Sequence, residues 1–165
     1  MSELRTNRIV PRDGLVSGAS GGVIQVVHFA LATGSTVTVN SSTFVDVLTA
    51  SITPTRSDSK ILVQVTSAPK TNGSSSNFQF GAQIQRNSTT IMYDNEYLQM
   101  NNGYAPNAFT GAYTVLDSPA STSALTYKFR CSRSVSGREL YFENSTDNTG
   151  NYYNKHTMTL MEVSA

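Results

Sequence analysis

The sequence predicts an all-β protein, a single antiparallel β-sandwich behind an extended N-terminal arm, and three observations predict it. Only 14% of the residues are Asp, Glu, Lys or Arg, against roughly 25% in typical soluble domains. Helical surfaces draw on Glu, Lys and Ala, so a chain rich instead in Ser, Thr, Asn and Gly favours strands and turns. Beyond Gly22 the chain breaks into short runs of Val, Ile, Thr, Tyr and Phe between Ser/Thr/Asn/Gly/Pro clusters, as sandwiches and barrels require. Within those runs apolar and polar residues alternate with a period of two.

Residues 1–22 come first and form the arm. They hold scattered charges, a Pro11-Arg12-Asp13-Gly14 turn signal and a Gly/Ser run, with no sustained period of either kind. Leu4, Ile9, Val10 and Leu15 would gain at most about 2 kcal/mol each on burial. Ordering a backbone costs about 1–2 kcal/mol per residue, so apolar burial does not hold this segment by itself. The expectation is an arm that is mobile or added as a strand along a neighbour. The run Gly18-Ala19-Ser20-Gly21-Gly22 resembles a phosphate loop only superficially: no Lys-Ser/Thr follows, and a strand comes next.

Residues 23–165 read as one domain, since a chain of 165 residues has room for one core. Strands are expected near 23–30, 34–39, 43–52, 60–68, 77–86, 90–94, 109–116, 124–132, 138–143 and 155–163. In NFQFGAQIQ the period sets Phe78, Phe80, Ala82 and Ile84 on a core face and Gln79, Gly81, Gln83 and Gln85 on a wet one. The same period groups Ile61, Val63 and Val65, then Leu125, Tyr127, Phe129 and Cys131, then Leu140 and Phe142. Two runs break the alternation, GVIQVVHF and TMTLMEV, with apolar residues at successive positions. Such strands are covered on both faces, and in so short a chain the second cover is expected from another subunit. Residues 69–76, 101–108 and 144–154 read as polar or Asn/Tyr-rich loops, where sandwiches place binding surfaces.

Composition excludes several functions. A net charge of +1 leaves no cationic excess to displace counterions from a phosphate backbone, which argues against nucleic-acid binding. No apolar run approaches the roughly 18 residues of a membrane span. The opening Met1-Ser2-Glu3-Leu4-Arg5 lacks the apolar stretch of a secretory signal, so assembly in the cytosol is expected. A single cysteine, Cys131, permits no intrachain disulfide and reads as a small buried hydrophobe. The Asn-x-Ser/Thr matches at Asn40, Asn72, Asn87 and Asn144 read as turn chemistry.

Catalytic chemistry finds no foothold. His28 and His156 are the only histidines and lack metal-ligand spacing, so neither a metal nor a cofactor is expected; His28 reads as a hydrogen-bonded sheet residue. There is no Gly-x-Ser-x-Gly elbow, and no histidine lies near Cys131 in sequence. Asp94, Glu96, Asp117, Glu139, Glu143, Asp147 and Glu162 form no acid/base pair and read as charged loop rims. Tyr97, Tyr104, Tyr152 and Tyr153, beside amides in YDNEYLQMNNGYAPN and ENSTDNTGNYYNK, are the candidate receptor contacts, because aromatic rings among amides suit sugar or protein surfaces.

The opening SELRTNRIVPRDGL with SGASGGVIQVV resembles the leader of small virion and tail-fibre-like proteins of marine and cyanobacterial phages. TFVDV, ITPTRSDSKILVQV, LDSPASTSALTYKF and the closing TMTLMEV are similar to the body of the same group. The resemblance runs over nearly the whole chain in blocks joined by divergent loops. It implies a non-enzymatic bacteriophage structural protein, located in the virion and assembled in the host cytoplasm. It further implies a jelly-roll body like that of the tumour-necrosis-factor family, working as a homotrimer. The long repetitive shaft of a full fibre is missing, which favours a capsid decoration protein, a head fibre or a tail-associated knob. The arm, with Leu4, Ile9, Val10, Pro11 and Leu15, would then anchor the subunit to a capsid or tail protein; the alternative reading is a host-surface binding module of a tail fibre, whose tyrosine loops meet a glycan or receptor.

Overall fold

The computed structural model describes residues 22–71, 80–94, 110–133, 139–146, 152–153 and 156–164. The expected arm, apart from Gly22, lies outside them, as do Tyr97 and Tyr104. All regular structure among the described residues is strand: β1 (Val23–Ala30), β2 (Thr36–Val39), β3 (Val45–Ile52), β4 (Lys60–Ser67), β5 (Lys70–Thr71), β6 (Phe80–Arg86), β7 (Thr89–Asp94), β8 (Gly111–Asp117), β9 (Leu125–Arg133), β10 (Leu140–Glu143), β11 (Ser145–Thr146), β12 (Tyr152–Tyr153) and β13 (Thr157–Val163).

Two four-stranded antiparallel sheets, ordered β1-β13-β4-β8 and β3-β9-β6-β7, face each other. Reading the eight long strands in chain order, the first, third, sixth and eighth build one sheet and the others build the second, which is the two-Greek-key path of a jelly roll. A smaller sheet, β2-β10-β5, and the β11-β12 pair complete it. The period-two grouping from sequence maps directly onto the interior. Ile61, Val63 and Val65 of β4, Met158 and Leu160 of β13, Tyr127, Phe129 and Cys131 of β9, and Ile84 of β6 are all buried. The β2-β10-β5 sheet adds Val39, Leu140 and Phe142, each fully buried, and the Phe142 ring meets Phe129 edge-on with centroids 6.5 Å apart.

Local chemistry explains the turn between β6 and β7. Asn87 adopts φ 51°, a left-handed conformation that Asn tolerates better than most residues, and its side-chain oxygen accepts from the Thr126 amide at 3.0 Å. This is the turn role expected of an Asn-x-Ser/Thr match.

Four expectations need correction. The Gln face of β6 is wet only in part: Gln85 is half-buried, but Gly81 and Gln83 are buried, because the Phe44 ring and the long side chains of β9 lie over them, and Gln79 lies outside the described residues. The loops expected at 69–76 and 144–154 contain the short strands β5, β11 and β12, which pair where neighbouring backbone offers free ladder positions. Asn144 is a buried strap whose amide donates to Leu31 O, not an exposed turn. Asp117 and Glu162 are not loop rims; both sit inside strands and face the interior.

Candidate functional site: an apolar row across one sheet

β13 is a central strand, and its two faces are dissimilar. Met158, Leu160 and Glu162 point inward and are buried, whereas Thr157, Thr159, Met161 and Val163 are half-buried on the outer side. Register then builds the outer face row by row. Val26 pairs with Met161, Met161 with Leu62, and Leu62 with Leu116, so an apolar row crosses all four strands from one edge to the other. Its two ends are open to solvent, Val26 at 55% and Leu116 at 52% exposure. On one side lie Val23 and Val163, with Ile24 in a β-bulge of β1; Val23 and Ile24 are also exposed. On the other side runs a polar row, His28, Thr159, Gln64 and Thr114. His28 hydrogen-bonds Thr159 Oγ1 at 2.9 Å, the sheet role expected of it.

The rows of this face hold one formally charged side chain, Lys60. A contiguous apolar stripe with few charges is what the centre of a protein–protein contact needs and what a soluble surface otherwise avoids. The unbroken apolar runs in GVIQVVHF and TMTLMEV therefore have a concrete origin: one half of each run packs in the sandwich and the other half makes this row.

The end of the sandwich near Asp117 is closed by carboxylates. Glu162 is fully buried; Gln25 Nε2 donates to it at 2.6 Å, and Thr55 donates through its amide and its hydroxyl, both at 2.9 Å. Burial would raise its pKa, but those donors outweigh burial and hold the carboxyl down at about 2. Asp117 accepts from Arg86 Nη1 at 2.7 Å to each oxygen and from the Tyr127 hydroxyl at 2.7 Å. Each oxygen of both carboxylates accepts from at least one protein donor, which suits a structural clasp.

At the opposite end His156 is fully buried. Its Nδ1 accepts from the Ala68 amide at 3.3 Å, which leaves the proton on Nε2 to donate to Glu143 O at 3.1 Å. Ser67 Oγ lies 2.9 Å from the same Nδ1. Burial pushes its pKa down, so the ring is neutral at pH 7. Beside it opens a cleft of about 360 Å³ lined in part by His28, Thr33, Asn144 and Thr157. Cys131 is buried and its thiol pushed well up by desolvation, far from thiolate reactivity. No group of three His, Cys, Asp or Glu gathers among the described residues.

Of the residues singled out from sequence, Leu4, Ile9, Val10, Pro11, Leu15, Tyr97 and Tyr104 lie outside the described residues. Tyr152 and Tyr153 form β12 and pair with Thr146 and Ser145. Sequence reasoning did not single out Leu62, Leu116 and Met161. Their signal was the alternation itself, which marks them as outward-facing apolar residues once the inward set is known.

Fold and surface together define an antiparallel jelly-roll sandwich that leaves one sheet face apolar. No protein-family model matches the chain, and no curated protein matches it either. Among solved structures it is similar to the VP2 subviral particle of infectious bursal disease virus, at 12% identity over 86% of this chain and 38% of that one, with a TM-score of 0.40. It is also similar to T=1 particles derived from the same virus, at 14% identity over 98% and 41% of the two chains and a TM-score of 0.42. A third is dimeric latent PorU from Porphyromonas gingivalis, at 9% identity over 90% and 14% and a TM-score of 0.38. The chain spans less than half the length of each of these.

Proposed function

We propose that this chain is a non-enzymatic structural subunit of a bacteriophage virion, which assembles as a homo-oligomer through the outer face of its β1-β13-β4-β8 sheet. The observation that carries the self-association is the row Val26–Met161–Leu62–Leu116, exposed at both ends and continuous between them. A large apolar side chain taken fully from water contributes about 1.5–3 kcal/mol, and Val26 and Leu116, the row's most exposed members, have the most to gain from a sister copy. The resemblance of the sequence blocks to small phage virion proteins supports the particle role, and it favours three copies over two. In this reading residues 1–22 tether the oligomer to a capsid or tail protein, as a decoration protein, a head fibre or a knob.

Sedimentation tests the assembly. The wild-type protein is expected to run as an oligomer at micromolar concentration, and Leu116→Glu to run as a folded monomer, since position 116 is exposed and tolerates a charge in the isolated subunit. A wild-type chain that sediments as an ordered monomer overturns the reading. Deleting residues 1–22 is expected to leave the sandwich folded and oligomeric while abolishing incorporation into particles; normal incorporation refutes the tether.

A further inference from the structure

The second broad surface, the outer face of β3-β9-β6-β7, is built on a different principle. Register sets Asp46, Arg130, Gln83 and Tyr93 in one row, with Thr49, Lys128 and Gln85 in the next. Asp46, Lys128, Arg130 and Gln83 are held in place. Asp46 accepts from Lys128 Nζ and Arg130 Nε, both at 2.6 Å, and Arg130 Nη2 donates to Phe44 O at 2.9 Å. Gln83 Nε2 donates to Thr90 Oγ1 at 2.8 Å. The Phe44 ring lies over Gly81 and meets Tyr93 edge-on at 5.7 Å, and Tyr93 stands 54% exposed. Among the described residues of these two rows, two cations and one carboxylate leave an excess positive charge beside the exposed Tyr93 ring.

From this arrangement we infer that the face binds an acidic polysaccharide. The C–H groups on one side of a sugar ring suit the electron-rich face of the exposed Tyr93 ring. The Arg130 guanidinium and the exposed Asp46 carboxylate, already fixed by their mutual bond, match vicinal hydroxyls and lose little freedom on binding. The cationic excess at Lys128 and Arg130 selects a glycan bearing carboxylates over a neutral one. A second copy of this chain is the poorer occupant, because these rows offer no apolar stripe and would set like charge patterns against each other. The inference rests on the assembly proposed above, which commits the other sheet to sister copies and leaves this one outward.

The test is titration of the full chain with oligogalacturonate, with a neutral oligosaccharide of equal length and with inorganic phosphate, followed by NMR or calorimetry. Oligogalacturonate is expected to bind with a dissociation constant below about 1 mM and to weaken as salt rises. Tyr93→Ala is expected to weaken it about 10-fold or more, Lys128→Gln to weaken it and flatten the salt dependence, and Tyr93→Phe to keep it, because the ring is retained. No binding of oligogalacturonate, equal binding of the neutral sugar, binding of phosphate alone at the same strength, or binding unmoved by both weakening variants overturns the site. Sedimentation of the same samples reports separately on self-association: an oligomer that ignores the acidic sugar defeats this inference and spares the assembly.

Discussion

The Tyr127 hydroxyl donates to Asp117 Oδ2 across 2.7 Å, joining β9 of one sheet to β8 of the other inside the sandwich. Arg86 from β6 closes the same knot with two bonds to Asp117. Sheets that pack by apolar contact alone can slide; a charge-assisted bond between them pins the relative position.

Removing parts of this knot separates its contributions. Tyr127→Phe leaves Asp117 paired with Arg86 and is expected to cost about 1.5–3 kcal/mol, the worth of one bond to a charged acceptor. Asp117→Ala strands Arg86 and the buried Tyr127 hydroxyl together, and about 3 kcal/mol or more is expected. Urea denaturation of the two variants checks the order, and equal losses would deny Asp117 its central place.

Glu162 contributes a part of the stability that depends on acid pH. Its folded-state pKa, about 2, lies below the ordinary value of 4.5, so the unfolded chain takes the proton first. Its contribution is complete above pH 4.5 and is lost as pH falls towards 2. Glu162→Gln turns an acceptor into a partial donor facing Thr55 and is expected to cost about 2–4 kcal/mol at pH 7. The variant should also lose less stability than the wild type between those pH values, read by melting temperature.

His156 acts in a separate window. Its pKa is lowered by burial from 6.5, so its contribution is full above that value and shrinks as pH drops below it. Protonated Nδ1 can no longer accept from the Ala68 amide. His156→Gln is expected to lower stability at pH 7 and to flatten the decline below pH 6.5. A wild-type melting temperature that is constant from neutral pH down to the range where Glu162 titrates would refute this.

Gly81 makes room for Phe44. A Cβ there would stand 3.0 Å from Ser132 Oγ and 3.2 Å from Phe44 Cζ. Gly81→Val is expected to cost about 1–3 kcal/mol by overpacking and to push the Phe44 ring off Tyr93. Tyrosine fluorescence and thermal melts read both effects, and an unchanged melt would show that the ring yields freely.

Much of the fold was legible because strand periodicity is local. A residue's neighbours two positions away already mark its face, so Val63, Val65, Phe129 and Phe142 could be assigned inward without knowing any partner. β5, β11 and β12 were not legible, since two-residue strands carry no period and exist only where a neighbour supplies a ladder. Gln83 was misjudged as wet because its cover comes from other strands: its partners across the sheet are Arg130 and Tyr93.

The candidate surface divides the same way. Sequence by itself determined that the first and last long strands carry apolar residues on both faces, because composition at successive positions is a local fact. Only the tertiary structure decided that Val26, Met161, Leu62 and Leu116 stand in one row, and that Glu162 meets donors 107 and 137 residues away in the chain. Register between distant strands depends on which pairing buries the most apolar surface and leaves the fewest polar groups without partners, and that is a property of the whole folded chain.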